Sequence, residues 1–270
     1  MVAASPTSSP SPAASAMPLY LTFALVAPLA SFGGIAVGER RSGWDRPGRS
    51  AVLGLVGACL GLLREDDAAQ TALTEGYGLA LFCHAPGRLL ADYHTTQVPS
   101  AKRGRRFATR AQELAVPKSE LNTILTRRDY RSGAWHLGAI WAREPAPRWS
   151  LAEIAAAMQR PVFTPCLGRK SCPLGLPLAP LVSDAPDPAA ALLHRRDTGP
   201  EAGLPDRHRG RLRDSLADAP GEPVIVLDAA DVTPGDVRLR RVELRRDQPR
   251  SRRRWQFDLR EEAVLGVGGQ

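Results

Sequence analysis

Apolar residues fall into short runs of strand or helix length, divided by connections rich in Gly, Pro and Arg. Residues 19–26 (LYLTFALV) are apolar at nearly every position, which predicts a strand buried on both faces. A Gly-rich connection follows, and Ser50 is placed to cap a helix running to about Leu63. Within it Gly54, Gly57, Ala58 and Gly61 share one face at spacings of three and four. Glycine inside a helix costs about 1 kcal/mol relative to alanine, so something must approach that face closely, either a sheet or a nucleic-acid backbone. Asp66 or Asp67 caps a short second helix to Thr74. Residues 77–84 and 88–96 read as two strands joined by a hairpin turn at Ala85-Pro86-Gly87. Strand-like segments resume at 121–130 and 134–142, and Ser150 opens a helix to Gln159. An irregular stretch (160–173), an apolar run (174–182) and a short helix after Asp187 (188–194) follow, and strands at 224–228, 237–245 and 255–259 close the chain.

Interleaved strands and helices without a regular βα repeat predict an α+β fold. Residues 1–16 carry Ser, Pro and Ala with no period and are expected to be a disordered tail. The main domain is expected over 17–195, a mobile linker over 196–222 and a smaller C-terminal β region over 223–270.

Charge changes the picture. Lys plus Arg is 36 against 28 for Asp plus Glu, a net +8, which favours a polyanionic partner. Lys occurs only at 102, 118 and 170, so the basicity is that of arginine, which forks onto phosphates and stacks on bases. The four cysteines form no CxxC pair and no zinc spacing, so no metal or cofactor is expected and a reducing cytoplasm is. The apolar stretch 19–37 has no basic residue before it and is broken by Pro28, Gly33 and Gly34. Neither a signal peptide nor a membrane segment is expected from it.

The basic residues are clustered. Arg40, Arg41, Arg46 and Arg49 lie in the Gly-rich connection before Ser50. Residues 98–131 hold nine basic and three acidic side chains, a local +6, including Lys102, Arg103, Arg105, Arg106, Arg127 and Arg128. Residues 238–254 hold nine arginines against Glu243 and Asp247, a local +7, and Arg169-Lys170-Ser171 form a fourth group. Any one cluster is accounted for by a solvated face. Several of them on Gly-rich loops, with Trp44, Tyr93, His94, Phe107, Tyr130 and Trp255 beside them, suit single-stranded RNA, where arginines take phosphates and rings stack bases. No GxxxxGK[ST] loop, Ser/His/Asp order or carboxylate pair is present, so no catalytic residue is assigned. The alternative is a metal-independent endoribonuclease, with His94 as general base beside Tyr93.

Five stretches together carry a family resemblance: LVAPLASFG (25–33), RPGRS leading into AVLGLVGACLG (46–61), DYHTT (92–96), TILTRRDY (123–130) and FTPCLGRKSCP (163–173). In order and spacing they resemble the CasD family of subunits from type I-E CRISPR Cascade complexes, within the fifth Cas family and the repeat-associated RNA-binding superfamily. The resemblance covers about 17–195 and is loose beyond. It implies a ferredoxin-like domain with a protruding β-hairpin thumb, here at 98–118. It implies a non-catalytic role, gripping the 5′ handle of the crRNA and contacting the large subunit and the terminal backbone subunit, with target DNA reached through the complex. Arg49 and Ser50 at the helix start, with Arg40, Arg41 and Arg46 before them, are then expected on handle phosphates. Tyr93, His94 and Tyr130 are expected on bases, Lys102, Arg103, Arg105 and Arg106 along the RNA with Arg127 and Arg128, and Arg169, Lys170 and Ser171 at a second phosphate site.

Overall fold

The computed structural model describes residues 17–34, 38–201 and 222–267. The expected tail at 1–16 and most of the expected linker lie outside the described residues. The chain forms β1 (Leu19–Ala30), β2 (Arg40–Arg41), α1 (Arg49–Cys59), α2 (Asp67–Glu75), β3 (Tyr77–Ala85), β4 (Arg88–Pro99), α3 (Arg110–Leu114), β5 (Leu121–Ala142), α4 (Leu151–Gln159), β6 (Leu181–Asp184), α5 (Pro188–Thr198), β7 (Val224–Asp228), β8 (Leu239–Ser251) and β9 (Gln256–Gly266). Among the described residues nine strands join one sheet in the order β6-β1-β5-β3-β7-β9-β8, with β2 and β4 also paired to β5. Every pairing is antiparallel except that of β2.

Both faces of β1 are covered, which is why its sequence does not alternate. Leu21, Phe23 and Leu25 enter a core shared with α1 and α4, while Ala24 and Val26 enter a second core under α5. The C-terminal strands continue the same sheet, since β7 pairs with β3. No helix among the described residues is long and apolar enough to cross a membrane.

Four local expectations are revised. The Ala85-Pro86-Gly87 segment is not a hairpin turn. β3 and β4 pair one after the other with the same strand, β3 with residues 135–142 of β5 and β4 with residues 121–132. They therefore form one kinked line along β5. Gly87 sits at the kink with φ +73°, where a Cβ would meet the Ser132 carbonyl oxygen at 2.6 Å. The two segments read as separate strands at 121–130 and 134–142 are one strand of 22 residues, carried through Gly133 at φ +71°. Trp255, expected in a strand, occupies the turn between β8 and β9.

The fourth revision concerns α1. Its cap is Gly48, two residues before Ser50, because another side chain does the capping: Asp247 on β8 accepts the Arg49 backbone N–H at 2.8 Å. A Cβ at Gly48 would lie 2.8 Å from the same carboxylate, and one at Gly54 would lie 2.9 Å from a guanidinium nitrogen of Arg252. Gly54 thus admits the C-terminal hairpin, and Gly57 lies against Leu73 and Leu62, so the small face of α1 is packed by protein and not by a nucleic acid. α1 ends at Cys59, with the Leu62 N–H returning to the Gly57 carbonyl at 2.8 Å.

His136 on β5 is fully buried, and neither ring nitrogen has a hydrogen-bond partner among the described residues. Burial, reinforced by the Arg46 charge, pulls its pKa from 6.5 down to about 3. The folded value lies below the unfolded one, so the stability tied to the neutral ring is complete above about pH 6.5 and is lost as pH falls toward 3. The melting temperature of the wild type is expected to decline from about pH 6.5 downward. That of His136→Leu should hold until the carboxylates titrate. Coincident Tm–pH profiles would show that His136 is not the titrating group.

Candidate nucleic-acid interface

β4 and the first half of β5 form a two-stranded ribbon that continues past the rest of the sheet, with residues 100–120 at its tip. Within the tip Thr109 caps α3 by accepting the Gln112 N–H at 3.3 Å. Glu120 binds both Lys102 at 3.1 Å and Arg105 at 2.5 Å, and these hydrogen bonds hold its carboxyl below the ordinary range. Arg105 also lies over the Phe107 ring at 5.1 Å. Arg103 and Arg106 are exposed and have no side-chain hydrogen bond or ion pair with another described residue.

Register divides the remaining candidates between the two faces of the ribbon, because directly paired residues share a face and neighbours alternate. On one face lie Tyr93, Arg127 and Arg40, in one row across β4, β5 and β2. Tyr93 is 63% exposed, so its ring is free to meet a ligand. On the other face lie Arg41, Arg128 and Asp92, with His94 and Tyr130 two residues along. His94 Nδ1 is 3.1 Å from the Asp92 carboxylate. Tyr93 and His94 therefore do not converge on one reacting group, contrary to what endonuclease chemistry by that pair needs.

The loop at 166–173 is bound to the Tyr130 face. Arg169 stacks on the Tyr130 ring at 4.6 Å and reaches the Asp129 carbonyl at 3.4 Å. The loop closes on itself through the Leu167 N–H to the Cys172 carbonyl (2.9 Å) and is tied to the end of β1 by the Ser31 N–H to the Leu167 carbonyl (3.0 Å). Lys170 and Ser171 stand exposed at its tip. Arg169, Lys170, Arg128, Arg41 and Tyr130 are thereby brought together on one side of the ribbon base.

Arg46 and Arg49 are not part of that surface. Arg46 is 5% exposed and Arg49 1% exposed. The Arg49 guanidinium donates to the carbonyls of Thr74 and Tyr77, each at 2.7 Å, and lies 3.3 Å from Asp228. Burial pulls its pKa down, with Asp228 opposing. Arg46 donates to Glu262 at 2.9 and 2.6 Å, to Glu243 at 2.6 Å and to Asp45 at 3.0 Å. Glu262 also accepts from Arg245 at 3.1 Å and Arg260 at 2.6 Å. Asp247 accepts from Arg260 at 2.8 and 3.0 Å; burial raises its pKa, and the Arg260 hydrogen bonds outweigh that and leave it low. With the α1 N-terminus filled by Asp247, neither a phosphate at Arg49 nor one at the Ser50 helix start has a place to bind. Ser50 is half-buried and gives its carbonyl to Arg252 at 2.5 Å.

The nine arginines at 238–254 do not form one basic patch. They divide: Arg245 is buried on Glu262, whereas Arg238 on Asp236 and Asp187, Arg240 on Glu222 and Arg241 on Glu243 form pairs nearer the surface. The signal for this was available in the alternation Glu243, Arg245, Asp247 on β8 and Arg260, Glu262 on β9, which places all five charges on one face of the hairpin.

The family model described as CRISPR-associated protein (Cas_Cas5) matches residues 20–261. The CRISPR system Cascade subunit CasD of Escherichia coli (strain K12) is 33% identical over 180 residues, covering 67% of this chain and 78% of that protein. A solved chain of a CRISPR RNA-guided surveillance complex superposes with a TM-score of 0.54 at 22% identity, over 92% of this chain and 89% of that one. A crystal structure of a Cas protein superposes at 0.50 and 21% identity, over 92% and 95%. The last two likenesses concern the fold alone.

Proposed function

The chain belongs to the CRISPR-associated Cas5 family, and from that premise we propose that it is a non-catalytic subunit of a type I-E Cascade complex that binds and caps the 5′ handle of the crRNA. The relative at 33% identity is itself named a Cascade subunit, CasD. The observation that carries the RNA role is a division of labour among the arginines. Arg46, Arg49, Arg245 and Arg260 neutralise buried carboxylates, whereas Arg40, Arg41, Arg103, Arg106, Arg128 and Lys170 face solvent without an ion pair to any described residue. Exposed, unneutralised cations on a narrow ribbon suit a flexible polyanion.

The ribbon is the thumb of this reading, and Arg103 and Arg106 at its tip follow the RNA backbone. Tyr130 with Arg169 on one face and Tyr93 on the other offer rings to unstacked bases, which would give the handle sequence preference that phosphate contacts lack. The order β1-α1-β3-β5-α4-β6, with β6-β1-β5-β3 adjacent in the sheet, supports a ferredoxin-like core under the thumb. The partners of this reading are the large subunit and the terminal backbone subunit, and target DNA is met through pairing with the guide.

Titration of a labelled handle RNA across a salt series tests the proposal. Arg103→Ala/Arg106→Ala is expected to weaken binding and to lower the slope of log K against log salt by about 1.4, since each single-strand phosphate contact contributes about 0.7. An unchanged slope would remove the thumb from the RNA path. Cleavage of repeat RNA by the purified chain in EDTA would overturn the non-catalytic assignment.

A further inference from the structure

The turn between β8 and β9 carries a second cluster that the ribbon does not use. Trp255 is 60% exposed and is held at φ +56°, a left-handed conformation that bulky side chains rarely adopt. Its ring is fixed from two sides. Phe257 packs edge-on at 5.5 Å with an interplanar angle of 84°, and the Arg64 guanidinium lies 4.8 Å from the ring centroid. Arg253 and Arg254 precede it, exposed and without an ion pair to any described residue. Arg252 anchors the turn to α1 through the Ser50 carbonyl at 2.5 Å, in the space left by Gly54. Burial, then the nearby Arg64 charge, lowers the Arg252 pKa to about 10, and no described carboxylate pairs with it. Like charges have been gathered here around an exposed ring, whereas Arg238, Arg240, Arg241 and Arg245 earlier in the hairpin each meet a carboxylate.

The geometry points to a second binding site, for an unpaired nucleic-acid strand, in which Trp255 stacks a base and Arg253 and Arg254 take the flanking phosphates. A duplex would bury its bases from the ring, so the exposed indole selects a single strand. The site is separate from the ribbon. Along β3, β7 and β9, Cys83 pairs with Val224 and Val224 with Gly266, while Asp228 pairs with Glu262. β9 therefore runs toward the strand end that bears the ribbon, its start and the turn before it lie at the opposite end, and the turn comes to rest on α1. This reading stands whether or not the ribbon takes the 5′ handle. The strand is either the guide RNA or a displaced DNA strand, and both offer the same stacking and phosphate chemistry.

The test is fluorescence anisotropy of the full chain, in an Arg103→Ala/Arg106→Ala background, with labelled twelve-residue oligo(U) and oligo(dT). Trp255→Gly is expected to weaken binding at least fivefold, as loss of one base stack does. Trp255→Phe is expected to retain most of it. Glycine adopts the left-handed turn without strain, so the Tm of Trp255→Gly is expected to equal or exceed that of the parent. Arg253→Ala/Arg254→Ala, which alters only exposed side chains, is expected to lower the salt slope by about 1.4. Preference for oligo(U) identifies guide RNA as the occupant, and equal or tighter oligo(dT) binding identifies DNA. Parental affinity for both oligomers in Trp255→Gly, with a parental salt slope in the double arginine variant, would overturn the site.

Discussion

Replacing Glu262 with alanine should destabilise the fold by about 3–5 kcal/mol, because it strands buried guanidiniums rather than merely deleting a contact. The carboxylate is 1% exposed and is the shared acceptor of Arg46, Arg245 and Arg260. Arg245 is equally buried, and two of its nitrogens already lack partners. Once Glu262 is gone, Arg46 keeps Asp45 and Glu243, and Arg260 keeps Asp247 and Asp228, but Arg245 is left with Asp247 at 3.7 Å and the Trp44 ring at 4.6 Å. Urea denaturation measures the effect, and Glu243→Ala serves as comparison because that carboxylate is partly exposed. A loss below about 1 kcal/mol for Glu262→Ala, the range of a surface pair, would mean that the network is solvated.

Gly168→Ala should cost about 2–5 kcal/mol, the sum of left-handed strain and forced overpacking. Gly168 has φ +93°, and a Cβ there would lie 1.8 Å from the Ser31 carbonyl oxygen, a backbone atom that cannot swing aside. The loop must back away from β1, which breaks the Ser31–Leu167 hydrogen bond and draws Arg169 off the Tyr130 ring. Thermal unfolding should show a fall of several degrees, and handle affinity should fall with it. Arg169→Ala separates the two effects: it should weaken RNA binding at an unchanged Tm. A Gly168→Ala protein with a wild-type Tm would show that the loop is not clamped to β1.

Much of the element pattern was legible because it rests on local chemistry. The Ser150 and Asp187 caps sit where the sequence put them, and the structure chooses Asp66 over Asp67, since a cap needs only a side chain and the next turn. The Ser50 cap failed for the converse reason. Its role is taken by Asp247, 198 residues in sequence from the Arg49 N–H it accepts, which no local pattern reports. The hairpin at Ala85–Gly87 failed in the same way. Pro and Gly marked a departure from regular geometry, but whether β4 turns back on β3 or runs on along β5 depends on which strand is present to pair with it.

The amino-acid sequence by itself determined the family, the α+β class and the excess of arginine, because motif order, hydrophobic period and charge are properties of the chain. Only the tertiary structure decided which arginines are available. Arg46, Arg49, Arg245 and Arg260 meet carboxylates brought in by β7, β8 and β9, while Arg103, Arg106, Arg253 and Arg254 sit on turns with no described acid within reach. A guanidinium has the same charge in either setting. Whether that charge holds the fold together or faces a phosphate depends on what long-range packing sets beside it.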